Sequence, residues 1–403
     1  MCSQDPSGFF DFCSMYIFFA GIFPEDLSWV AYVIAGFTIA FMAINTIVLC
    51  TALYTWFERR ALARFQSRLG PNRWGPYGLF QPIADLIKLI TKEDTVPEEA
   101  DRPVFNIAPI VLLVPTLLVV SVIPFGQNSF LGSLNVGVLF IISITSVTTI
   151  AIFMGGWASR NKYAMLGSMR GVAMLISYEV PMALAIVGVV LMAGSLSLVD
   201  IVESQNIPFM LVQPLGFFVF VAAAMAEMSR TPFDQIEAES ELGSGYHTEY
   251  SGMKFAIFQL AEFMAPLVTG LIIATLYLGG TRGIDPIPGQ IWFGLKTFAV
   301  VFVMLWIRAT WPRLRVDQVM GFAWKVMFSL VLLNLILITV EIQLLQDLKS
   351  GSLSSNTMWV MAAINWSVGL VCLLVISSIM NRRRTRRPKP TPSPLANMRL
   401  EAD

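Results

Sequence analysis

Nine apolar runs, each long enough to cross a lipid bilayer, constrain this chain more than any other feature of its sequence. They cover about residues 29–57, 104–125, 134–157, 170–193, 209–228, 253–279, 291–310, 321–344 and 357–380. A membrane-spanning helix needs about 20 predominantly apolar residues. A bilayer offers no water to unpaired backbone groups, and a helix satisfies these groups internally. The sequence therefore predicts an all-α, polytopic membrane bundle.

The composition agrees with a membrane protein and restricts its chemistry. The chain has 403 residues, of which 56% are hydrophobic and 13% are charged, whereas soluble proteins have about 25% charged residues. It has one histidine and four cysteines without a CxxC motif. One histidine is too few for a histidine-rich metal site, and the four cysteines lack the spacing of the usual cysteine cage of an iron–sulfur cluster. We expect no metal site, and any electron transfer must use redox centres outside this chain.

The basic residues predict the orientation of the bundle. All of the 27 lysines and arginines except Arg282, Lys296 and Lys349 fall on one side of the nine runs. The positive-inside rule therefore predicts an outside N-terminus and a cytoplasmic C-terminus. The aromatic stretch 9–23 is too short to span and is expected to form an interfacial helix. The basic, proline-rich tail 381–403 is expected to be disordered and to contact anionic lipid.

The first inside loop contains two amphipathic segments. Arg60, Arg64 and Arg68 recur every four residues and would line one face of a helix. A second amphipathic helix is predicted from about Gln81 to Thr91. Two such helices at the membrane surface could frame an opening for a lipid-soluble molecule, or simply form a basic collar on anionic headgroups. Asp85, between two apolar residues, favours the first interpretation.

Acidic residues also occur within or at the ends of the apolar runs. They are Glu58, Glu179, Glu227 and Glu262. A charge at the centre of a membrane helix costs at least about 2.5–3.5 kcal/mol on insertion scales. Each acid alone is explained by a neutral carboxyl group bonded between helices. Four of them together favour a connected path for protons.

The loop between the fifth and sixth runs is rich in acid. Residues 230–252 contain Asp234, Glu237, Glu239, Glu241 and Glu249 but only one arginine. Carboxylates held together at a membrane boundary repel one another, and such groups take up and release protons when their surroundings change. A role in proton handling is the leading hypothesis, and a docking surface for a basic partner is the alternative.

Several of these stretches resemble one family, the NuoH-type membrane component of respiratory complex I, whose mitochondrial counterpart is NADH dehydrogenase subunit 1. The resemblance runs from about Trp29 to Leu345. The motifs that carry it are Glu58-Arg-Arg, Arg68-Leu-Gly-Pro-Asn-Arg73, Asp85-Leu-Ile-Lys88, Glu179-Val-Pro181, Arg230-Thr-Pro-Phe-Asp234, Glu237-Ala-Glu-Ser-Glu-Leu242, Glu249-Tyr-Ser-Gly252 and Arg313-Leu-Arg-Val-Asp-Gln318.

The resemblance implies a fold and a function. The family has eight core spans and joins the quinone-reducing peripheral arm of a proton-pumping NADH:quinone oxidoreductase to its membrane arm. It forms much of the quinone tunnel and begins the line of charged residues that couples quinone reduction to proton translocation. The implied partners are quinone (ubiquinone or menaquinone), the peripheral quinone-site subunits, the adjacent small membrane subunits and membrane lipids, with no nucleic acid. Flavin and iron–sulfur clusters belong only to partner subunits, and a bacterial inner membrane is expected.

The resemblance also assigns roles to residues, although none is a certain catalytic group. The residues that would lie by the quinone tunnel are Glu58, Arg59, Arg60, Arg64 and Asp85. Those that would form the acidic coupling loop are Asp234, Glu237, Glu239, Glu241 and Glu249. Those that would begin the intramembrane proton path are Glu179, Glu227 and Glu262.

The chain departs from the family at both ends. We divide it into an N-terminal segment 1–28, a NuoH-like membrane domain 29–345, an extra transmembrane helix 346–380 and a basic tail 381–403. Three other functions stay open. A related component of a membrane-bound hydrogenase would hardly need the long loop 58–102, a stand-alone ion transporter would act without partners, and a passive anchor would tolerate acid-to-amide changes.

Overall fold

The computed structural model describes residues 12–21, 28–126, 134–236, 241, 243–284, 286–346 and 355–385, and within these ranges the regular structure is entirely helical. The long helices are α2 (Ser28–Phe65), α4 (Arg102–Val122), α5 (Gly137–Ala158), α6 (Lys162–Ala193), α10 (Gly252–Tyr277), α11 (Gly289–Thr310), α13 (Phe328–Gln346) and α14 (Ser355–Thr385). The shorter ones are α1 (Phe12–Ala20), α3 (Gln81–Thr91), α7 (Leu198–Ser204), α8 (Phe209–Val212), α9 (Pro214–Glu227) and α12 (Val316–Phe322). Eight helices among the described residues are long and apolar enough to cross a membrane, and the all-α, polytopic prediction is confirmed.

Helix α2 is longer than a bilayer is thick. Its 38 residues span about 57 Å at 1.5 Å per residue, against a hydrocarbon core of about 30 Å. The amphipathic segment expected after the first span is therefore the C-terminal end of the same helix. The helix ends at Phe65, and Ser67 has a left-handed φ of 55°. Arg60 and Arg64 consequently share a continuous helix, whereas Arg68 lies beyond its end.

The run predicted as one span at 209–228 is broken. Helix α8 ends at Val212, Gln213 has non-helical φ and ψ of −126° and 72°, and α9 starts at Pro214. Proline disfavours the helical conformation in the residue before it and offers no amide hydrogen. Helix α9 has 14 residues, or about 21 Å, so the break leaves a helix shorter than the hydrocarbon core.

The other predicted segments correspond to helices with modest shifts. Helix α6 begins at Lys162, about two turns before the predicted span, because Asn161 caps it by accepting from the amide of Tyr163 at 2.9 Å. The run 321–344 is built from α12, a π-helical turn at Ala323–Met327 and α13. The predicted amphipathic helix at 81–91 is present as α3.

Helices α6 and α10 form the centre of the bundle. They are the most enclosed of the long helices; α6 packs against α5, α9 and α13, and α10 packs against α4 and α11. Tyr178, Phe258 and Tyr277 are among the largest fully buried side chains there. Helix α2 lies at the periphery, and α3 packs against α2 and α10.

Both ends of the chain contribute helices outside this centre. Helix α1 falls within the predicted interfacial segment and packs along the first half of α2, where Tyr16 meets Tyr32 edge-on with ring centroids 6.3 Å apart. Helix α14 continues to Thr385, into the segment where disorder is expected. Residues 386–403 lie outside the described residues, so disorder there stays a prediction.

Candidate functional site

Arg230 and Glu262, a residue in the first half of α10, form a buried ion pair. Arg230 Nη1 lies 2.9 Å from Glu262 Oε1, and the two side chains are 8% and 14% exposed. Pro266 has no amide hydrogen to donate to the carbonyl of residue 262, four residues earlier in the helix. Arg230 Nη2 lies 3.4 Å from this carbonyl. The arginine therefore contacts both the carboxylate of Glu262 and the backbone group that the proline leaves without its helical donor.

A second buried ion pair joins Glu58 to Arg308. Glu58 is 3% exposed and pairs with Arg308 in the last turn of α11. Tyr54 lies four residues before Glu58, hence on the same helix face, and its hydroxyl is within electrostatic reach of both Arg230 and Arg308. The C-terminal parts of α2 and α11, the first half of α10 and Arg230 therefore hold two carboxylates, two guanidinium groups and a phenol in one connected region.

A cavity lies next to this region, between α4, α5, α9 and α10. Its volume is about 110 Å³ for the centres of water-sized molecules, above the ~10–15 Å³ that one water needs. Apolar side chains form part of its wall, and its polar lining consists of Thr116, Thr145, Thr148, Glu227, Ser229, Tyr246, Glu262 and Thr269. Thr145 and Thr148 donate their hydroxyl hydrogens to carbonyls of their own helix, so their oxygens remain available as acceptors. The cavity is suited to hold water between carboxyl groups.

Glu227 and Glu262 both line the cavity, whereas Glu179 lies beyond it. Ser146 of α5 donates a hydrogen bond to Glu179 of α6, and Glu179 is close enough to Glu227 to interact with it electrostatically. Ser146 lies between Thr145 and Thr148, two residues of the cavity wall. The structure therefore brings the three acids of the predicted intramembrane path around one polar region.

The acidic loop is held to the bundle by individual contacts. Glu241 pairs with Arg170 of α6 at 2.6 Å, with both side chains partly exposed, and this hydrogen bond lowers the pKa of Glu241. Glu249 accepts a hydrogen bond from Asn161 at 2.6 Å. Glu237 and Glu239 lie outside the described residues, so their role in the acidic loop stays a prediction.

A glycine contact and a side-chain hydrogen bond hold the loop close to neighbouring elements. Gly245 packs against Gly167 of α6, and a methyl group added at Gly167 would lie 3.1 Å from the Cα atom of Gly245. Asp234 is half-buried, and its neighbour Gln235 donates a hydrogen bond to the carbonyl of Leu314. The start of the loop is thereby tied to the turn between α11 and α12.

Aromatic packing fixes the end of the loop. The rings of Tyr250 and Phe105 stack at 3.9 Å with an interplanar angle of 3°, and Lys254 pairs with Asp94 at 2.8 Å. Burial raises the pKa of the Tyr250 hydroxyl. His247 is buried as well, and its desolvation lowers the pKa of the imidazole although the charge of Glu262 acts in the opposite direction. The histidine is therefore neutral at neutral pH.

Asp85 of α3 forms an ion pair with Arg59 of α2. Arg59 Nη1 lies 2.5 Å from Asp85 Oδ2, and Gln81 donates to the other carboxylate oxygen at 3.2 Å. Arg59 is 47% exposed and Asp85 is 25% exposed. The apolar side chains of the helix are about half exposed, namely Ile83, Leu86, Ile87 and Ile90. An apolar, accessible face therefore adjoins a charged pair.

Arg60 is oriented by two aromatic rings. Its guanidinium carbon lies 4.7 Å from the ring centroid of Tyr77 and 5.6 Å from that of Trp56. Arg60 Nη1 and Trp56 Nε1 both donate to the carbonyl of Tyr77, at 3.0 and 3.1 Å. These bonds hold the connection before α3 against α2. Arg64, one turn further along α2, is exposed.

Several partners of the predicted residues were not identified from the sequence. Tyr54 had a detectable signal, since it lies four residues before Glu58 on one helix. In the sequence, Arg308 contributes only to the distribution of basic residues that predicts the orientation. The contacts of Ser146, Asn161 and Arg170 join positions more than 30 residues apart. Within the described ranges, no three His, Cys, Asp or Glu side chains converge as metal ligands would.

Comparison with known proteins gives one family. The family model described as "NADH dehydrogenase" matches residues 38–339. The chain belongs to the NADH dehydrogenase family, as one of its NuoH-type members. The H subunit of the NADH-quinone oxidoreductase of Dehalococcoides mccartyi (strain CBDB1) is 50% identical over 309 residues, which are 76% of this chain and 87% of that protein.

Other members of the family are similar over the same part of the chain. In Syntrophobacter fumaroxidans, H subunit 2 of the NADH-quinone oxidoreductase is 46% identical over 319 residues, 77% of this chain and 96% of that protein. The corresponding H subunit of Geobacillus kaustophilus is 48% identical over 288 residues, 70% of this chain and 86% of that protein. The match to the family model ends at residue 339, so α14 lies beyond it.

Proposed function

We propose that this chain is the membrane subunit of a proton-translocating NADH-quinone oxidoreductase that admits quinone beside α3 and couples its reduction to proton movement. The observation that carries the proposal is that Glu227 and Glu262 line one polar cavity, with Glu179 beyond it and within electrostatic reach of Glu227. Acids that served only as separate helix contacts would have no reason to share a cavity and to lie in such a series. The names of the similar proteins support the enzyme class.

Quinone access is supported by the geometry at α3. The quinone ring and its isoprenoid tail need an apolar surface, which the exposed isoleucines and leucine of α3 offer at the inner end of α2. The head group needs hydrogen-bond partners, which Arg59 and Asp85 supply. The chain contributes walls and charges to this passage, and the electrons come from flavin and iron–sulfur clusters in partner subunits.

Coupling is supported by the link between the two ion pairs and the cavity. Quinone reduction would add negative charge or consume protons near Glu58 and Arg308, and the Tyr54 hydroxyl is within electrostatic reach of both Arg308 and Arg230. A change in charge at Glu58 would alter the field at Arg230 and hence the proton affinity of Glu262. Glu262 faces the cavity, through which water would connect it to Glu227 and then Glu179. Glu237, Glu239, Glu241, Glu249 and Asp234 would set the negative potential at the entrance.

We also propose the topology of the subunit from the distribution of basic residues. The N-terminus would lie outside and the C-terminus in the cytoplasm of a bacterial inner membrane. The adjacent small membrane subunits and the quinone-site peripheral subunits would be the protein partners. The core of eight spans would then consist of seven long helices and the broken pair α8–α9, with α14 as the extra one.

Purification of a tagged chain in mild detergent tests the enzyme class. Flavin- and iron–sulfur-containing NADH dehydrogenase subunits should co-purify with it. A nickel–iron hydrogenase partner would instead favour hydrogen chemistry, and a stable chain without partners would overturn the proposal.

A photoreactive quinone analogue tests the place of access. It should label residues 81–91 in the assembled complex, and excess natural quinone should abolish the labelling. Labelling confined to other helices would remove α3 from the proposed passage.

A further inference from the structure

The C-terminal helix α14 is attached to the bundle by a buried face. Met358, Met361, Ala362 and Asn365 are 0–4% exposed, and their spacing of three and four residues places them on one side of the helix. The indole nitrogen of Trp366 donates to the carbonyl of Leu211 at 3.0 Å, close to the break between α8 and α9. Helix α14 therefore supplies polar groups to the bundle as well as apolar contacts.

The polar contact at the centre of this face involves a carboxyl group. Asn365 Nδ2 donates to Glu341 Oε2 of α13 at 3.0 Å. Glu341 is 6% exposed and Asn365 is fully buried. The other oxygens of the two groups, Glu341 Oε1 and Asn365 Oδ1, are both buried, and neither has a hydrogen-bond partner among the described residues. If the carboxyl group is ionised, both of these oxygens are acceptors and cannot bond to each other.

No charged side chain compensates Glu341 in the parts of the helices near it. Residues 180–193 of α6, 209–226 of α8 and α9, and 357–371 of α14 contain no Asp, Glu, Lys, Arg, His, Cys or Tyr. The titratable groups of the packed elements lie outside these ranges, and those nearest to them along the chain are Tyr178 and Glu179 of α6, Glu227 of α9, Lys325 of the π turn and Cys372 of α14. Lys325 precedes Glu341 by about 24 Å of helix. A carboxylate buried in this way without a cation is strongly disfavoured.

We infer that Glu341 binds one proton and shares it with Asn365. The protonated Oε1 donates to Asn365 Oδ1 while Asn365 Nδ2 donates to Glu341 Oε2, which closes an acid–amide pair with two hydrogen bonds. A single proton thus satisfies both orphaned oxygens. This site lies outside the region matched by the family model and does not depend on the acids around the cavity. It makes the hydrogen bonding between α14 and the bundle dependent on a bound proton.

Infrared spectroscopy of the assembled complex in native lipid tests this inference. The carbonyl stretching band of a protonated carboxylic acid is separate from that of a carboxylate. At about pH 7, the spectrum of the wild type minus that of E341Q should contain one positive acid band. E341Q retains the size of the side chain and both hydrogen bonds to Asn365, so it should assemble. The absence of this band would show that Glu341 is ionised and would overturn the inference.

N365L tests the partner of the proton. This variant keeps the volume of the side chain but removes its acceptor, so the acid band should move to higher wavenumber, as expected of a carboxyl group that loses a hydrogen bond. A band that stays at the wild-type position would overturn the sharing with Asn365. Should E341Q not assemble, the comparison of N365L with the wild type decides on its own, because a moved band requires a protonated acid in contact with residue 365 and an unmoved one contradicts it.

Discussion

Arg230 binds Glu262 at two points, the carboxylate at 2.9 Å and the backbone carbonyl at 3.4 Å. The second contact exists because Pro266 cannot supply the helical donor to that carbonyl. Pro266 and the ion pair of Glu262 therefore lie about one turn apart on α10. The same arginine stacks on Phe263, with its guanidinium carbon 5.1 Å from the ring centroid.

Replacing Arg230 should destabilise the protein strongly. R230A leaves Glu262 as an uncompensated buried carboxylate, at an expected cost of about 3–5 kcal/mol. R230K keeps the charge but cannot form the planar double contact, so its loss should be intermediate. Thermal unfolding of the purified protein measures both effects.

The exposed pair between Arg170 and Glu241 provides the control. R170A breaks an ion pair of similar length at the surface and should cost no more than about 1 kcal/mol. Equal losses of stability in R230A and R170A would show that the buried pair stabilises the protein no more than the exposed one.

Weakening the pair between Arg59 and Asp85 should affect quinone and not folding. D85N should change stability by less than about 1 kcal/mol, because the pair is partly exposed. If quinone enters beside α3, the same variant should raise the KM for quinone several-fold. Steady-state NADH oxidation measured with varied quinone gives the KM.

Two comparisons separate this effect from general damage. Electron transfer to an artificial acceptor that reacts with the peripheral subunits should be unchanged in D85N. D94N breaks the pair with Lys254, which lies beyond the C-terminal end of α3, and should leave the KM unchanged. A KM in D85N equal to that of the wild type would exclude Asp85 from the passage.

Stability should fall at mildly acidic pH because of His247. Burial lowers the pKa of this imidazole from the ordinary value of 6.5, so the unfolded chain binds a proton at a pH where the folded one does not. Below about pH 6.5, stability is therefore lost with falling pH, by up to about 1.4 kcal/mol per pH unit. H247Q should flatten this part of the profile of unfolding temperature against pH. A variant profile parallel to that of the wild type would assign the acid sensitivity to other groups.

Tyr250 allows the contribution of an aromatic ring to stability to be measured apart from that of its hydroxyl group. Its ring stacks on Phe105. The hydroxyl oxygen is buried and has no hydrogen-bond partner among the described residues. Y250F keeps the stack and should be neutral or slightly stabilising. Y250L loses the aromatic contact and should cost about 0.5–1.5 kcal/mol beyond the change in buried area. Denaturation midpoints of the two variants give the comparison, and a loss in Y250F as large as that in Y250L would mean that the hydroxyl group has a role.

The helical class and eight of the nine predicted spans followed from the sequence because bilayer thickness fixes the length of an apolar run. Helix α3 was predicted at its observed bounds, because its apolar residues keep the helical spacing over all eleven residues. The break at Gln213 was not predicted, although Pro214 gives the local signal. The number of apolar residues in 209–228 hardly changes with a single proline, so it does not reveal that the helix is interrupted there.

The acids of the site were predicted, but their partners were not. Glu227 and Glu262 are conspicuous in apolar surroundings, whereas the cavity between them results from how four helices pack. The pairing of Glu58 with Arg308 joins positions 250 residues apart, and no local pattern encodes it. The sequence therefore indicated which groups need a partner, and the tertiary structure determined which partner each one has.

The central claim is that the acids around the cavity couple quinone reduction to proton translocation. The direct measurement is the number of protons moved per NADH oxidised by the complex in sealed liposomes, with E227Q and E179Q compared with the wild type. Glu203, an exposed acid on α7, provides the control, and E203Q should behave as the wild type. We expect a lower ratio in E227Q and E179Q with intact assembly. An unchanged ratio and rate in both variants would contradict the claim.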